Sequence, residues 1–248
     1  QQIIDAHSRI TDQEFFQTLF HQPVNSPFQM FLDSDSAQDF HDYAEKLIES
    51  DMITGVQIYM DFPPQSVRLF NDELTKDYFS PLSKARGTYW YGIFQGTQQS
   101  SLYCPEFYLG GREKREYGDL AYITSTTFYY QGSARQAYIA VYSSSEHLNE
   151  MLKDNLKLTG SVSYIINDRN AVVATSDSSL SGIYLLDYDT IENSFMSSNN
   201  FIERNILDTT VYAGFYNIKQ PGWFMVTVLP SGPLITQSNT IMIQYILM

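Results

Sequence analysis

Residues 86–96 combine side chains that line small-molecule pockets. The stretch reads Arg-Gly-Thr-Tyr-Trp-Tyr-Gly-Ile-Phe-Gln-Gly, with four aromatics in eleven positions and one of the two tryptophans of the chain. Trp90 offers a wide contact surface at little entropic cost. Arg86 could clamp a carboxylate with two parallel hydrogen bonds, although a solvated charge or a surface ion pair is the commoner role. We read the stretch as a strand in which Trp90 forms a pocket wall and Tyr91 faces the other side.

A second group of candidate side chains lies on the first arm of a predicted hairpin. Stacking rings and hydroxyl groups together suit a sugar or another small polar molecule. A strand rich in Thr and Tyr is also simply a good strand, so each residue alone is weak support. The predicted ligand-binding residues are Arg86, Trp90, Tyr91, Asp119, Tyr122, Thr124, Thr126 and Tyr129.

Enzyme and metal chemistry find little support in the sequence. The four histidines (His7, His21, His41 and His147) lack His-x-x-x-His spacing, and no phosphate loop or Gly-x-Ser-x-Gly elbow is present. Cys104 is the single cysteine and has no histidine at suggestive spacing, which indicates a structural thiol. The acidic run "DYDTIE" leaves an acidic hydrolase open as a weaker alternative, but we interpret it as a polar loop. We therefore predict neither an enzyme, nor a cofactor, nor a metal site.

The charge of the chain argues against nucleic acid as a partner. The formal net charge is −13, and residues 1–150 hold ten basic against twenty acidic side chains. A phosphate-binding surface needs a basic stripe, which this balance does not supply. Hydrophobic residues make up 43% of the chain and charged residues 17%, as is typical of a globular protein with a proper core.

The periodicity of the chain predicts an α+β fold. Two amphipathic helices are expected near residues 2–20 and 35–50, followed by a half-buried strand at "ITGVQIYMDF". A hairpin with the five-residue connection "QGSAR", a helix at "SEHLNEMLKDNLKL" and a second set of strands complete the pattern. This order predicts antiparallel sheets in two successive modules.

The order and the pattern of these segments resemble those of a double Cache domain, the PAS-like extracellular sensor of bacterial receptors. The resemblance is carried by "AYITSTTFYYQGSARQAYIAVYSSSEHLNEML" and by "GSVSYIINDRNAVVATSDSSLSG" followed by "GWFMVTVLP". Among such receptors, the chain is similar in particular to the sensor domains of histidine kinases of Gram-positive bacteria that pair with AraC-type response regulators. The resemblance covers nearly the whole chain, and no single motif is diagnostic.

The resemblance implies a membrane-anchored receptor with its sensor outside the cell. Residues 1–50 would form a long N-terminal helical stalk, 51–158 the membrane-distal ligand-binding module and 159–236 the membrane-proximal module. The apolar end "IMIQYILM" would lie in the start of a second transmembrane helix at 237–248. The expected partners are a small-molecule ligand or a liganded solute-binding protein, with a homodimer in the full-length receptor. Kinase activity would reside in a cytoplasmic part.

The amino-acid-binding members of this family carry an arginine one residue before a Trp-Tyr pair and an aspartate two residues after the tyrosine. Here Arg86 stands four residues before Trp90, and Ile93 occupies the aspartate position. The departure argues against an amino-acid ligand, and the rings and hydroxyl groups described above keep the prediction at a sugar or another small polar solute. A chemoreceptor sensor and a passive carbohydrate-binding surface module remain the alternatives.

Overall fold

The structure is a computed structural model that describes residues 2–13, 16, 35–49, 52–62, 78–156, 160–177, 185–206, 209–219 and 221–232. These residues form two compact units, Gln1–Ser144 and Ser145–Met248. Each unit contains one five-stranded sheet. The predicted α+β fold with antiparallel sheets and an N-terminal helix is thereby confirmed.

The first unit contains a five-stranded sheet in the order β2-β1-β5-β4-β3. Only β1 and β2 run parallel, and the other neighbours are antiparallel. The strands are β1 (Gly55–Met60), β2 (Phe79–Pro81), β3 (Ser101–Cys104), β4 (Leu120–Tyr130) and β5 (Ser133–Ser143). The helices described in this unit are α1 (Gln2–Thr11), α2 (Asp35–Ile48), α3 (Tyr89–Gly96) and α4 (Gly111–Glu116).

The second unit repeats the strand order of the first. Its sheet runs β7-β6-β10-β9-β8, which is the order 2-1-5-4-3 when its strands are counted from its own beginning. All neighbours in this sheet are antiparallel. The elements are α5 (Ser145–Asp154), β6 (Val162–Ile166), β7 (Val172–Thr175), α6 (Tyr188–Met196), β8 (Phe201–Ile206), β9 (Thr209–Ile218) and β10 (Trp223–Pro230).

The sheet of the first unit separates two hydrophobic clusters. On one face, α1 and α2 contribute Ala6, Ile10 and Phe40 to a core that includes Ile58 and Phe128. The opposite face holds an aromatic cluster, defined here as Tyr59, Trp90, Phe94, Tyr108, Tyr138 and Tyr142 with their aliphatic neighbours. Every residue of β1 is therefore buried, whereas the alternation in the sequence predicted a half-buried strand. A central strand with packed elements on both faces loses its solvent side.

The hairpin between β4 and β5 has a tighter turn than the sequence predicted. Tyr130 pairs directly with Ser133, so the connection has two residues rather than the five of "QGSAR". Gln131 and Gly132 have φ values of 49° and 74°. Two successive left-handed residues match the twist of the flanking strands, which lets the ladder continue to the tip.

Two further predictions differ from the structure in the second unit. The run "DYDTIE", interpreted as a polar loop, begins helix α6, because the Asp187 carboxylate accepts a hydrogen bond from the Thr190 backbone N–H at 2.8 Å. Helix α5, which we expected to close the first module, packs on β6 and β7, and Asn149 Oδ1 accepts from the Thr175 backbone N–H at 2.7 Å.

Within the described residues, no helix is long and apolar enough to cross a membrane. The predicted start of a transmembrane helix at 237–248 lies outside the described residues.

Candidate ligand site in the first unit

The stretch 89–96 is a helix, and the predicted strand there is wrong. Thr88 adopts an extended conformation and its side-chain oxygen accepts a hydrogen bond from the Tyr91 backbone N–H at 3.3 Å, which caps α3. Trp90 and Phe94 are four residues apart and are the buried residues of this helix. The i, i+4 spacing places both rings on one helical face, directed at the sheet.

Trp90 lies inside the aromatic cluster and not in the wall of an open pocket. Its side chain has no exposed surface. The ring centroid lies 5.3 Å from that of Tyr138 and 5.6 Å from that of Tyr59. The predicted pocket wall is therefore corrected to a core position, because the helix turns the indole inward against β1 and β5. The indole N–H remains available as a donor within this core.

Glu113 supplies the acceptor for that indole, and the sequence reasoning missed it. The side chain projects from the six-residue helix α4 into the aromatic cluster and is only 5% exposed. Trp90 Nε1 donates to Oε1 at 3.1 Å, and the Gly110 backbone N–H donates to Oε2 at 2.6 Å. A glutamate at the third helical position commonly accepts from the backbone N–H before the helix. The spacing of Gly110 and Glu113 was the one available signal.

Two buried tyrosines complete the hydrogen bonding of this carboxylate. Tyr59 on β1 and Tyr142 on β5 donate to Glu113 Oε1 at 3.0 and 2.7 Å. Their own hydroxyl oxygens lie 3.0 Å apart. Burial, reinforced by the negative charge of Glu113, raises the pKa of Tyr59 well above its ordinary value. Burial, followed by the charges of Tyr59 and Glu113, does the same for the pKa of Tyr142. Both hydroxyl groups therefore stay protonated and remain donors at neutral pH.

A cavity of about 40 Å³ borders this cluster. Ligand pockets usually measure roughly 300–1,000 Å³, so this space has room for water but not for a solute. The polar cluster is therefore closed in this conformation. The cavity is lined by Tyr59, Ser80, Lys84, Thr88, Gly110, Arg112, Glu113 and Tyr117.

The hairpin residues predicted to bind a ligand do not all lie on the face of Trp90. Ile123 belongs to the aromatic cluster, so the alternate residues of β4 face the other way, towards α1. Accordingly, Oγ1 of Thr124 lies 2.6 Å from Nε2 of His7. The ring centroid of Tyr122 lies 5.2 Å from that of the same imidazole. Thr126 shares this face by its even position.

The remaining predicted residues lie at the rim of the aromatic cluster or beyond it. Tyr91 is half-buried, with its ring 5.9 Å from that of Tyr138. Arg86 is largely exposed and forms an ion pair with Asp61 at 3.7 Å. Asp119 stands immediately before β4, and Tyr129 lies near the hairpin tip, both partly exposed. The structure therefore brings Trp90 and Tyr91 together but does not assemble the eight residues into one site.

Two larger concave regions are present among the described residues. An open groove of about 460 Å³ follows the exposed side of α3, past Gly92 and Gly96. In the second unit, a cavity of about 570 Å³ lies between α5 and the sheet. Its lining carries no charged side chain, and two of its hydroxyl groups, on Ser163 and Thr227, bond to each other at 2.6 Å. Neither region approaches the concentration of buried donors around Glu113.

The described part of the chain contains no assembled metal site. No group of three His, Cys, Asp or Glu side chains lies close enough there to hold an ion. Cys104 is fully buried within the aromatic cluster, and burial raises the pKa of its thiol well above the ordinary value. A thiol in this state is a poor nucleophile.

No protein-family model and no curated protein sequence matches the chain. Solved structures do match it. The extracellular domain of mmHK1S-Z3, assigned as a histidine kinase, aligns at 11% identity over 86% of each chain with a TM-score of 0.53. That of mmHK1S-Z2, assigned likewise, aligns at 9% identity over 94% of this chain and 96% of the other, with a TM-score of 0.52.

A third similar structure comes from a bacterial chemoreceptor. The sensory domain of Campylobacter jejuni Tlp3, solved with isoleucine bound, aligns at 10% identity over 92% of this chain and 82% of the other, with a TM-score of 0.47. At these identities the likeness concerns architecture. The chain shares the two-sheet α+β fold of the extracellular domains of mmHK1S-Z3 and mmHK1S-Z2.

Proposed function

We propose that this chain is the extracellular sensor domain of a membrane-bound receptor, with a histidine kinase as its output. The observation that carries the proposal is the shared fold with the extracellular domains of mmHK1S-Z3 and mmHK1S-Z2, over most of both chains. The repeated strand order of the two sheets supports a double Cache architecture with two PAS-like modules. The AraC-type partner and the Gram-positive origin belong to this proposal.

The first unit is the ligand-binding, membrane-distal module, and the second is the membrane-proximal one. What supports this assignment is the polar cluster inside the first unit, where buried donors converge on one acceptor. Buried polar groups within an apolar surface are the usual recognition elements of small-molecule sites.

The ligand is a sugar or another small polar solute. It binds beneath α3 and α4. The small volume of the closed cavity means that binding requires these helices to move. A solute changes the signalling state only to the extent that it binds one conformation more tightly than the other. The domain works as a dimer in the full receptor, binds without turnover and uses no cofactor. A liganded solute-binding protein is the alternative signal.

A thermal-shift screen of residues 1–248 against sugars, amino acids and small carboxylates tests this function. A solute at 100 times its dissociation constant should stabilise the domain by about 2.7 kcal/mol. The response should be lost in Tyr59→Phe, which removes one buried hydroxyl, and kept in Tyr216→Phe, since Tyr216 is 65% exposed in the second unit. A blank screen argues against direct sensing.

A third variant, Thr227→Val, helps to locate the site. A response that survives Tyr59→Phe but disappears in Thr227→Val would move the ligand to the cavity of the second unit. Binding of polysaccharides without any change in α3 or α4 would favour the passive carbohydrate-binding alternative. Hydrogen exchange of these helices with and without the ligand distinguishes the two.

A further inference from the structure

The hydrogen bonds to the Glu113 carboxylate come from neutral donors. Its partners are the Trp90 indole N–H, the Tyr59 and Tyr142 hydroxyls and the Gly110 backbone N–H. Among the described residues, no lysine or arginine forms an ion pair with it, and the adjacent Arg112 is paired with Glu116 at 2.7 Å. The direct partners of this buried acceptor are therefore hydrogen-bond donors without a charge.

The donors and the acceptor belong to different kinds of element. Tyr59 and Tyr142 lie on β1 and β5, which pair directly at the centre of the sheet, and Trp90 is fixed by its burial in α3. Glu113 comes instead from α4, a helix of only six residues. A helix this short has little stability of its own and depends on its contacts. The donor set can therefore persist when the acceptor leaves.

We propose that Glu113 is an internal ligand: its carboxylate occupies the donor set of Trp90, Tyr59 and Tyr142, holds α4 down and keeps the first unit in a closed state. An incoming solute that offers an acceptor to the same donors displaces Glu113 and releases α4. This inference rests on the proposed function in placing the solute at this face of the sheet. It adds the residue that the solute must replace.

Small carboxylates test the donor set directly, because acetate and formate carry the group that Glu113 supplies. Glu113→Ala removes the internal carboxylate and leaves space beside three donors without their acceptor. The substitution should lower the melting midpoint. Sodium acetate or formate should restore, with saturation, at least half of the lost midpoint, whereas sodium chloride at equal ionic strength should not. Wild-type protein should show no difference between the salts.

A tryptophan signal reports the same event. The only other tryptophan is Trp223 in the second unit, so Trp223→Phe leaves Trp90 as the single tryptophan. In that background, acetate should shift the Trp90 emission of Glu113→Ala along the same saturation curve as the melting midpoint. The matched control is Glu116→Ala on the same helix, whose carboxylate faces Arg112 at the surface and should give no acetate response.

Identical behaviour of folded Glu113→Ala in acetate and in chloride would overturn the proposal. Should the variant be unfolded in chloride, the titration is followed as refolding. Recovery of the folded emission in acetate then supports the proposal, and a chain that stays unfolded in saturating acetate contradicts it. The solute screen on wild-type protein is independent, so a failed rescue and a blank screen are distinguishable failures.

Discussion

The Nε2 atom of His7 lies 2.6 Å from Oγ1 of Thr124, which ties helix α1 to the middle of β4. The imidazole is 8% exposed and meets the Tyr122 ring edge-on. Two residues of the predicted ligand set therefore contact the N-terminal helix. A charge on this ring would have to be accommodated in an apolar interface.

The first prediction concerns acid. Burial lowers the pKa of His7 from 6.5 to about 4. At a pH between these two pKa values, His7 is protonated in the unfolded chain but not in the folded chain. The folded state is therefore destabilised as the pH falls, and the stability is fully retained above pH 7. Because of His7, the free energy of unfolding should fall by about 3 kcal/mol when the pH is lowered from 7 to 4. Urea unfolding at several pH values should show this loss in the wild type and its absence in His7→Gln. Parallel pH profiles of the two proteins would refute the assignment.

The second prediction concerns the hydroxyl of Tyr142, which donates to Glu113 at 2.7 Å. Tyr142→Phe keeps the ring but deprives a buried carboxylate of a donor, and should destabilise the first unit by about 1–3 kcal/mol. The exposed Tyr216, changed to Phe, should alter stability by no more than about 0.5 kcal/mol. Equilibrium unfolding in urea measures both. Equal stabilities for the two variants would mean that this hydrogen bond is not formed.

The third prediction compares two glycines. Gly118 has a φ of +139°, and a Cβ there would lie 2.5 Å from the Ser143 carbonyl oxygen and 2.6 Å from Thr54 Oγ1. Gly118→Ala should therefore destabilise the domain by at least about 2 kcal/mol.

Gly92 is the matched control, because it lies within α3 and a Cβ there meets nothing within 4 Å. Gly92→Ala should stabilise the domain by about 0.5–1 kcal/mol, since it reduces the entropy lost when the helix forms. Thermal unfolding of both variants decides the matter. A loss of stability in Gly92→Ala would argue that the exposed side of α3 is packed against something in solution.

The fourth prediction concerns Cys104. Because the thiol is fully buried and its pKa is raised, an aromatic disulfide reagent should modify it no faster than the first unit opens. The rate should rise with urea in step with unfolding. Prompt modification of the native protein would show that the aromatic cluster opens more readily than the closed structure implies.

Local patterns predicted much of the fold. The paired strands β4 and β5 are rich in β-branched and aromatic residues, with Gly132 between them, and this composition predicts a hairpin. Residues 89–96 misled the prediction because aromatic residues favour strands, although Thr88 is a recognisable helix cap. Its side-chain oxygen accepts from the Tyr91 backbone N–H and marks the start of the helix.

The candidate site was less accessible to sequence reasoning. Tyr59, Glu113 and Tyr142 are 29 to 83 positions apart, and only the sheet register brings the two tyrosines to one face. The sequence predicts that a glutamate on a helix as charged as α4 is solvated. The burial of Glu113 depends on which side of α4 contacts the sheet, and the sequence of the helix does not indicate this side. Alternation along β4 gives Tyr122 and Thr124 a common face, but not the identity of the helix that covers it.

The repeated strand order has a mechanical consequence. In each unit the strand that begins the sheet pairs, antiparallel, with the strand that ends it, so the chain enters and leaves at neighbouring positions. Gly55, at the start of β1, lies opposite Tyr142 near the end of β5, and Val162, at the start of β6, lies opposite Val228. Tension applied between the two ends of either sheet would peel these strands apart one pair at a time, beginning at those positions, and would not load the whole ladder in shear. Tyr142 lies at the first pair to open in the first unit, so tension between the two ends of this sheet would act directly on a donor to Glu113.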